Sequence, residues 1–252
     1  MEIIMIRTGL VSISFRSIAP EELIEAIRNA GLSAIEWGGD VHVPHGDLST
    51  AKSVKEKTHA AGLTVPEYGS YYVIGKSPEN LFSDVLSSAK ELGTSVIRVW
   101  PCMNTPSDTL SREDYERCVK DAQRICDEAK DMTVALECHP GGLTDEYHTA
   151  LAFIKDVDRA NLKMMWQPNQ HRPLDYNLDA IRALLPYIVG VHVFFWKRKE
   201  RLPLSEGEKE WKQYISLLRG KDIPYMLEFM HDNDINTLNE TAKTLLNWLA
   251  EA

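Results

Sequence analysis

The sequence predicts a single-domain (β/α)8 TIM barrel that spans residues 1–252. Eight short runs rich in β-branched and aromatic residues alternate with eight longer stretches of helical periodicity. Strands that alternate with helices pair in parallel through crossover connections, and eight such units in about 250 residues match a closed barrel. The other α/β arrangement, a doubly wound open sheet, is typically marked by a glycine-rich phosphate loop, and the sequence contains neither GxGxxG nor GxxxxGK.

Proline, serine and glycine residues mark the ends of the first four helices. Pro20 suits a first helical turn, and glycine at positions 31, 62 and 93 follows three helices, where it commonly ends them. Ser111 begins a looser capping box, Ser-Arg-Glu-Asp. The first four strands and helices are predicted at 10–15 with 20–30, 34–38 with 50–61, 64–72 with 78–92, and 95–101 with a helix from 111. The last four are predicted at 133–139 with 145–155, 162–167 with 178–185, 188–195 with 206–218, and 225–230 with 236–250.

Composition and charge exclude several function classes. The net charge is −9, and an acidic chain is a poor partner for nucleic-acid phosphates. No apolar run approaches the ~20 residues of a membrane span, and residues 1–15 lack the layout of a signal peptide. The cysteines have neither CxxC spacing nor the density of a secreted scaffold, which predicts free thiols in a cytoplasmic protein. They are Cys102, Cys118, Cys126 and Cys138.

Four glutamates interrupt apolar, strand-like runs. A buried carboxylate is costly unless it is paired or binds a metal ion. For Glu36 and Glu67 we favour ion pairing inside the barrel, with Arg98 as the available partner. Glu137 and Glu228 end their strands on the side where barrel enzymes place their active residues, so we interpret them as functional.

Two further polar residues, Gln167 and His192, also end predicted strands. With Glu137 and Glu228 they form a mixed nitrogen and oxygen donor set. Such a set suits one divalent metal ion (Mn, Co, Mg or Zn) with positions left open for a substrate. A single strand histidine is more often a hydrogen-bonded core residue than a ligand, so the prediction rests on the joint pattern.

Aromatic and basic residues near the strand ends allow two interpretations each. Trp37 and Trp100 are either core anchors or a wall for the apolar face of a sugar ring. The basic residues within 197–201 are either a solvated loop or a phosphate-binding group.

Five short segments give the chain a resemblance to a known group of proteins. They are AIEWGGDVHVPHGD at 34–47, LECHP at 136–140, WQPNQH at 166–171, GVHV at 190–193 and MLEF at 226–229. Their order resembles the xylose-isomerase-like barrel superfamily, over essentially the whole chain. That superfamily includes sugar-phosphate isomerases and epimerases, ketose 3-epimerases, inosose dehydratases and the endonuclease IV family.

The resemblance implies roles for individual residues. Glu137 and Glu228 would be metal ligands and, as in the epimerases, the acid/base pair, and His192 would be a third ligand. Arg198 stands where epimerases keep a substrate-binding arginine. The candidate substrate-binding residues are His171, Arg198, His42, Trp37 and Trp100.

The sixth strand departs from the family pattern. Members usually carry Asp at its end and a histidine three residues later, whereas this chain has Gln167 and, four residues later, His171. An amide oxygen can bind a hard cation but brings no charge, so the affinity for metal should fall or the metal preference should shift. The extra metal-binding histidines of the endonuclease branch are not evident, which together with the acidic charge argues against a nuclease.

The expected function is that of a divalent-metal-dependent isomerase or epimerase of a sugar or sugar phosphate. The cation would stabilise an enediolate, and Glu137 and Glu228 would remove and return the proton. Two alternatives stay open: a metal-dependent dehydratase of the inosose type, and a non-catalytic barrel with a degenerate metal site. The expected partner is a small sugar or polyol, with no nucleic acid and no membrane, and homo-oligomer formation is left open.

Overall fold

Eight parallel strands close into a barrel within residues 6–251, the part of the chain that this computed structural model describes. Neighbouring strands pair in chain order and the eighth pairs with the first, which confirms the predicted (β/α)8 fold. Residues 1–5, part of the N-terminal segment interpreted above, and residue 252 lie outside the described residues. The strands are β1 (Thr8–Val11), β2 (Ala34–Gly38), β3 (Tyr68–Ile74), β4 (Val96–Pro101), β5 (Thr133–Glu137), β6 (Leu162–Trp166), β7 (Ile188–Val193) and β8 (Tyr225–Leu227).

A helix follows each strand and covers the outside of the barrel. The first begins at Pro20, as predicted, and the fourth is capped by Ser111, whose Oγ accepts a hydrogen bond from the N–H of Asp114 at 3.1 Å. Among the described residues, no helix combines the length and the apolar character needed to cross a bilayer. The helices are α1 (Pro20–Asn29), α2 (Leu48–Ala60), α3 (Leu81–Leu92), α4 (Arg112–Glu128), α5 (Tyr147–Val157), α6 (Leu174–Leu184), α7 (Glu208–Leu218) and α8 (Leu238–Glu251).

The first strand is shorter than its sequence predicts. The alternation over residues 10–15 indicates a strand, but β1 ends at Val11 and Ser12–Phe15 form a 3₁₀ turn. Ser12 Oγ accepts the backbone N–H of Gly38 at 2.9 Å, so this polar side chain ties the end of β1 to the end of β2.

Charged side chains fill part of the barrel interior, and two strand glycines give them room. A Cβ on Gly69 would overlap the guanidinium of Arg98, and a Cβ on Gly190 would overlap the carboxylate of Glu67. Arg98 and Glu67 are both fully or almost fully buried. Close approach to backbone is a common reason for glycine within a strand.

The prediction of four free cysteines is wrong for one pair. Cys102 and Cys118 form a disulfide, with their Cα atoms 6.7 Å apart, whereas Cys126 and Cys138 are free thiols. Cys102 directly follows β4 and Cys118 lies on α4. The two are therefore neighbours in the same strand–helix unit, which spacing within the sequence does not reveal.

Candidate active site

Four strand ends bring Glu137, Gln167, His192 and Glu228 together at the carboxyl-terminal mouth of the barrel. His192 Nδ1 lies 3.2 Å from Gln167 Oε1, 3.7 Å from Glu228 Oε2 and 4.0 Å from Glu137 Oε1. All four side chains are buried. The structure thus places the four residues of the predicted donor set in one group, which we call the donor cluster.

The orientation of His192 is fixed from below by Glu36. His192 Nε2 lies 2.9 Å from Glu36 Oε2, and because an ionised carboxylate only accepts hydrogen bonds, Nε2 carries the proton. Nδ1 consequently faces the other three members of the donor cluster. Burial disfavours the charged imidazole, but Glu228 and Glu36 outweigh it and raise the pKa of His192 above its ordinary value.

Arg98 links the interior of the barrel to the donor cluster. Its Nε donates to Glu36 Oε1 at 2.7 Å and its Nη1 donates to Glu137 Oε2, so the predicted ion pair with Glu36 is confirmed. Trp100 Nε1 donates to the same Glu137 oxygen. Burial favours the neutral form of Glu137, but Arg98 and His192 outweigh it and lower the pKa of this carboxyl below its ordinary value.

Glu228 lacks such donors. Within residues 6–251 its carboxylate accepts no hydrogen bond, and it meets the ring of His192 at 3.7 Å. Burial raises the pKa of Glu228, His192 opposes the rise, and the negative charge of Glu137 adds to it. Glu228 therefore holds a proton more readily than Glu137 does.

The ion pair predicted for Glu67 is not formed. Among the described residues, both of its carboxylate oxygens are buried without a hydrogen-bond partner. Arg98 pairs with Glu36 and Glu137 instead, and its Nη2 has no hydrogen-bond partner. Burial and the nearby charge of Glu36 raise the pKa of Glu67 well above its ordinary value. The raised pKa favours the neutral, protonated form of Glu67, which lies inside the barrel next to Gly190.

A cavity of about 160 Å³ opens directly above the donor cluster. Trp100 lines it, as the interpretation of a substrate wall predicts, and so does Trp196. Tyr71 and Phe229 line it with backbone φ angles of 56° and 53°, which are rare for bulky residues and concentrate at functional sites. The cavity is lined by Ile13, Arg16, Tyr71, Arg98, Trp100, Glu137, His139, Pro140, Gln167, Gln170, Phe194, Trp196, Glu228 and Phe229.

Trp37 and His42, two candidate substrate-binding residues, lie in the core instead of the cavity. Trp37 Nε1 donates to Thr58 Oγ1 in α2 at 3.2 Å. His42 is held by Ser12 Oγ at 3.0 Å and by the carbonyl of Ile18 at 3.1 Å. Successive strand residues face opposite sides of a sheet, so a barrel that turns residue 36 inward must turn Trp37 toward the helices.

His171 and Arg198, the other two candidates, do not line the cavity. His171 is exposed, next to Asn169. Arg198 follows β7 in a short hairpin and lines a neighbouring cavity of about 250 Å³. Gln170 lines both cavities, and its carbonyl accepts the N–H of Arg198 at 3.2 Å. The structure therefore brings neither residue into contact with the donor cluster.

The family follows from comparison with known proteins. A family model described as "xylose isomerase-like TIM barrel" matches residues 24–252. The chain belongs to the xylose isomerase-like TIM barrel family. Among proteins of known activity, it is similar to 3-dehydroshikimate dehydratase of Bacillus anthracis, with 24% identity over 95% of this chain and 96% of that protein.

Solved structures share the fold along their whole length. The probable 3-DHS dehydratase AsbF from Bacillus anthracis superposes with a TM-score of 0.82 and 22% identity, covering 96% of this chain and 99% of that one. D-psicose 3-epimerase from Clostridium cellulolyticum H10, solved with D-tagatose, superposes with a TM-score of 0.74 and 17% identity, covering 98% and 99%. The xylose isomerase-like family thus contains both dehydratase and epimerase relatives of this chain.

The donor cluster fits the divalent metal ion that this xylose isomerase-like barrel is expected to bind. Glu137, His192 and Glu228 offer three ligand atoms that all lie within 4.8 Å of one another. With Nε2 directed at Glu36, His192 Nδ1 and Gln167 Oε1 lie 3.2 Å apart, and in the unprotonated form of Nδ1 both atoms could donate a lone pair to one cation. A carboxylate behind a ligating histidine is the usual support of a metal site.

Several cavity residues escaped the sequence interpretation. Arg16 and Tyr71 lie in no recognisable motif, and Tyr71, which lines the cavity, lies where β3 shifts register against β4 between Gly69 and Val73. The sequence did contain a signal that separates Trp100, which lines the cavity, from Trp37, which lies in the core. Residues two apart share a face, so Trp100 accompanies Arg98 inward, while Trp37 is out of step with its glutamate neighbour.

Proposed function

We propose that the protein is a divalent-metal-dependent dehydratase of a small cyclic polyhydroxy ketone. The observation that carries the proposal is the difference between the two glutamates of the donor cluster. Glu137 is held by Arg98 and Trp100 and remains ionised, whereas Glu228 is free of donors and has a raised pKa. The site offers one group suited to moving a proton.

One proton-moving group is sufficient for dehydration. When bound, the cation supplies Lewis acidity that stabilises negative charge on the carbonyl oxygen of the substrate. Glu228 removes the proton on the carbon next to the carbonyl, and the electron pair forms a carbon–carbon double bond as the β-hydroxyl departs. Glu228 then returns its proton to the departing hydroxide, which leaves as water. Atoms and charge balance without a second base.

The remaining residues would hold the metal ion and the substrate and would exclude water from the cavity. Glu137, fixed by two donors, keeps a constant negative charge among the metal donors, and Arg98 balances that charge. Trp100, Trp196 and Phe229 give the cavity apolar walls. At about 160 Å³ the space is smaller than the roughly 300–1,000 Å³ of pockets for drug-sized ligands, and accordingly suits a single small ring.

An isomerase or epimerase, the expectation from the sequence, is the second candidate. It is favoured by the convergence of Glu137 and Glu228 on one histidine and by the fold shared with D-psicose 3-epimerase. A two-base epimerase needs a group that accepts a proton on one face and a group that donates on the other. The hydrogen bonds from Arg98 and Trp100 weaken Glu137 for either task.

The test is to supply the protein with Mn²⁺, Mg²⁺ or Co²⁺ and to offer it two substrate classes. The first is 3-dehydroshikimate, the substrate named for the relative at 24% identity, and the second is a set of free ketohexoses. We expect loss of water from the first, seen by mass spectrometry, and no C3 inversion of the second. Ketohexose epimerisation with deuterium incorporation from D₂O, and no dehydration, would replace the proposal by the second candidate.

A further inference from the structure

We infer that Arg16 binds a carboxylate of the substrate, so that the cavity takes a cyclic hydroxy-keto acid and discriminates against neutral sugars. The inference deepens the proposed function and rests on it. Arg16 directly follows the 3₁₀ turn Ser12–Phe15 at the end of β1, and it lines the cavity above the donor cluster.

Arg16 is held in place with hydrogen-bonding capacity to spare. Its Nε donates to Asp40 Oδ2 at 2.7 Å, its Nη1 to the carbonyl of Ile13 at 3.3 Å, and its Nη2 to Tyr71 Oη at 3.0 Å. A guanidinium has five N–H groups, so two remain for a ligand. The side chain is 45% exposed, which leaves those groups accessible from the cavity.

Two other arginines near the cavity are held by neighbouring side chains. Arg98 donates to two buried carboxylates, which neutralise it. Arg201 is stacked between Trp196 and Phe229, with its central carbon 4.8 Å and 4.5 Å from the ring centres, and it does not line the cavity. Arg98 also lines the cavity, but its one unpartnered nitrogen, Nη2, is buried next to Gly69 in β3. Of the two arginines that line the cavity, Arg16 is therefore the one whose free donors are exposed.

Tyr71 completes an anion subsite beside Arg16. Its Oη accepts from Arg16, so its own hydroxyl proton is free to be donated to the same ligand. Its ring stands edge-on to Trp100 with centroids 4.8 Å apart, and Trp100 in turn donates to Glu137. One wall of the cavity therefore runs from an anion-binding end at Arg16 to the donor cluster.

The positive charge of Arg16 determines the orientation of a keto acid in the cavity. A carboxylate at Arg16 gains charge-assisted hydrogen bonds from the free N–H groups of the guanidinium. The oxygen atoms at the opposite side of the ring then face the donor cluster. Asp40 orients Arg16 through Nε and leaves the terminal nitrogens to the ligand.

The experiment compares two ligands that differ only in the carboxylate. They are 3,4-dihydroxybenzoate, the aromatic acid left when 3-dehydroshikimate loses water, and catechol, its neutral analogue. Calorimetry on Mn²⁺-loaded protein measures both dissociation constants for the wild type, Arg16→Gln and Arg16→Lys. Arg182→Gln, an exposed arginine on α6, is the matched control.

We expect the wild type and the control to bind the acid about 10- to 100-fold more tightly than catechol. Arg16→Gln should lose this preference while its affinity for catechol stays unchanged, and Arg16→Lys should keep part of it. Equal affinities in the wild type, or equal losses for both ligands in Arg16→Gln, overturn the inference and leave the proposed function standing. If neither ligand binds, the proposed function fails and the inference fails with it.

Discussion

Glu137 and Glu228 belong to the same donor cluster and lie close to the same histidine, but their pKa values are shifted in opposite directions. On the side of β4, Arg98 and Trp100 donate to Glu137 and lower its pKa. On the side of β8, Glu228 receives no donor among the described residues, and burial raises its pKa. The comparison teaches that β4, which contributes no metal donor, decides which carboxylate is a fixed charge and which is free to move a proton.

The largest effect is expected from Arg98→Met, which abolishes the difference between the two sides. Removing one partner of a buried ion pair leaves uncompensated charge and costs about 3–5 kcal/mol of unfolding free energy. Urea denaturation of metal-free protein measures this loss. Arg98→Lys, which restores a charge without the planar fork, should recover only part of it. A loss below about 1 kcal/mol for Arg98→Met would contradict the bridging role.

Glu228→Gln tests the carboxylate that is proposed to move the proton. We expect kcat for dehydration to fall by about 10²- to 10⁴-fold, because the amide cannot accept the substrate proton. Metal content is measured in parallel, since the side chain is also a predicted ligand. Glu240→Gln, an exposed glutamate on α8, is the matched control and should retain wild-type turnover. Substantial turnover in Glu228→Gln with metal bound would assign the proton transfer to another group.

Trp100→Phe removes one of the two donors that hold Glu137 and is a smaller change than Arg98→Met. The aromatic ring stays, but the hydrogen bond from Nε1 to Glu137 is lost. A hydrogen bond to a charged group contributes about 1.5–3 kcal/mol, so we expect a stability loss in that range. The pKa of Glu137 should rise, which carboxyl ¹³C shifts recorded against pH would show. An unchanged pKa would mean that Arg98 alone holds the charge.

The smallest change in stability at neutral pH is expected from Glu67→Gln, inside the barrel. Because its pKa is raised in the folded state, Glu67 takes up a proton on folding. That part of the stability therefore falls as pH rises above the unfolded-state pKa. The amide removes this dependence, so its stability relative to wild type should improve between about pH 5 and about pH 8.

Glu36→Gln serves as the contrast for this pair, because Glu36 is ionised and paired with Arg98. It should destabilise the metal-free protein at every pH in this range. Parallel pH profiles for Glu67→Gln and wild type would show that Glu67 is not neutral in the folded protein.

The barrel could be predicted from the sequence because its pattern is local and repeated eight times. Boundaries failed where a tertiary contact competes with the pattern. The alternation at 10–15 is that of a strand, yet Ser12 and Ser14 accept backbone N–H groups from β2 and from Phe229, and the segment turns. The sequence does not report such long-range partners.

The donor cluster could be anticipated because polar residues at the ends of parallel strands must meet at one mouth of a barrel. Gln167 and Glu228 lie one residue beyond their strands and still reach it. The environment of each donor could not be anticipated. Arg98 was assigned to Glu36 and Glu67, but its geometry serves Glu36 and Glu137, and Tyr71 reaches the cavity through a φ angle that no sequence pattern indicates.

The space left by Gly69 and Gly190 constrains how this barrel can vary. The space that a side chain would fill is occupied by a group from elsewhere in the barrel, by Arg98 at Gly69 and by Glu67 at Gly190. A larger residue at either glycine is tolerated only if its neighbour shrinks at the same time. Substitutions here should therefore be made as pairs, and single changes that look conservative would displace the groups that set the charge of the mouth.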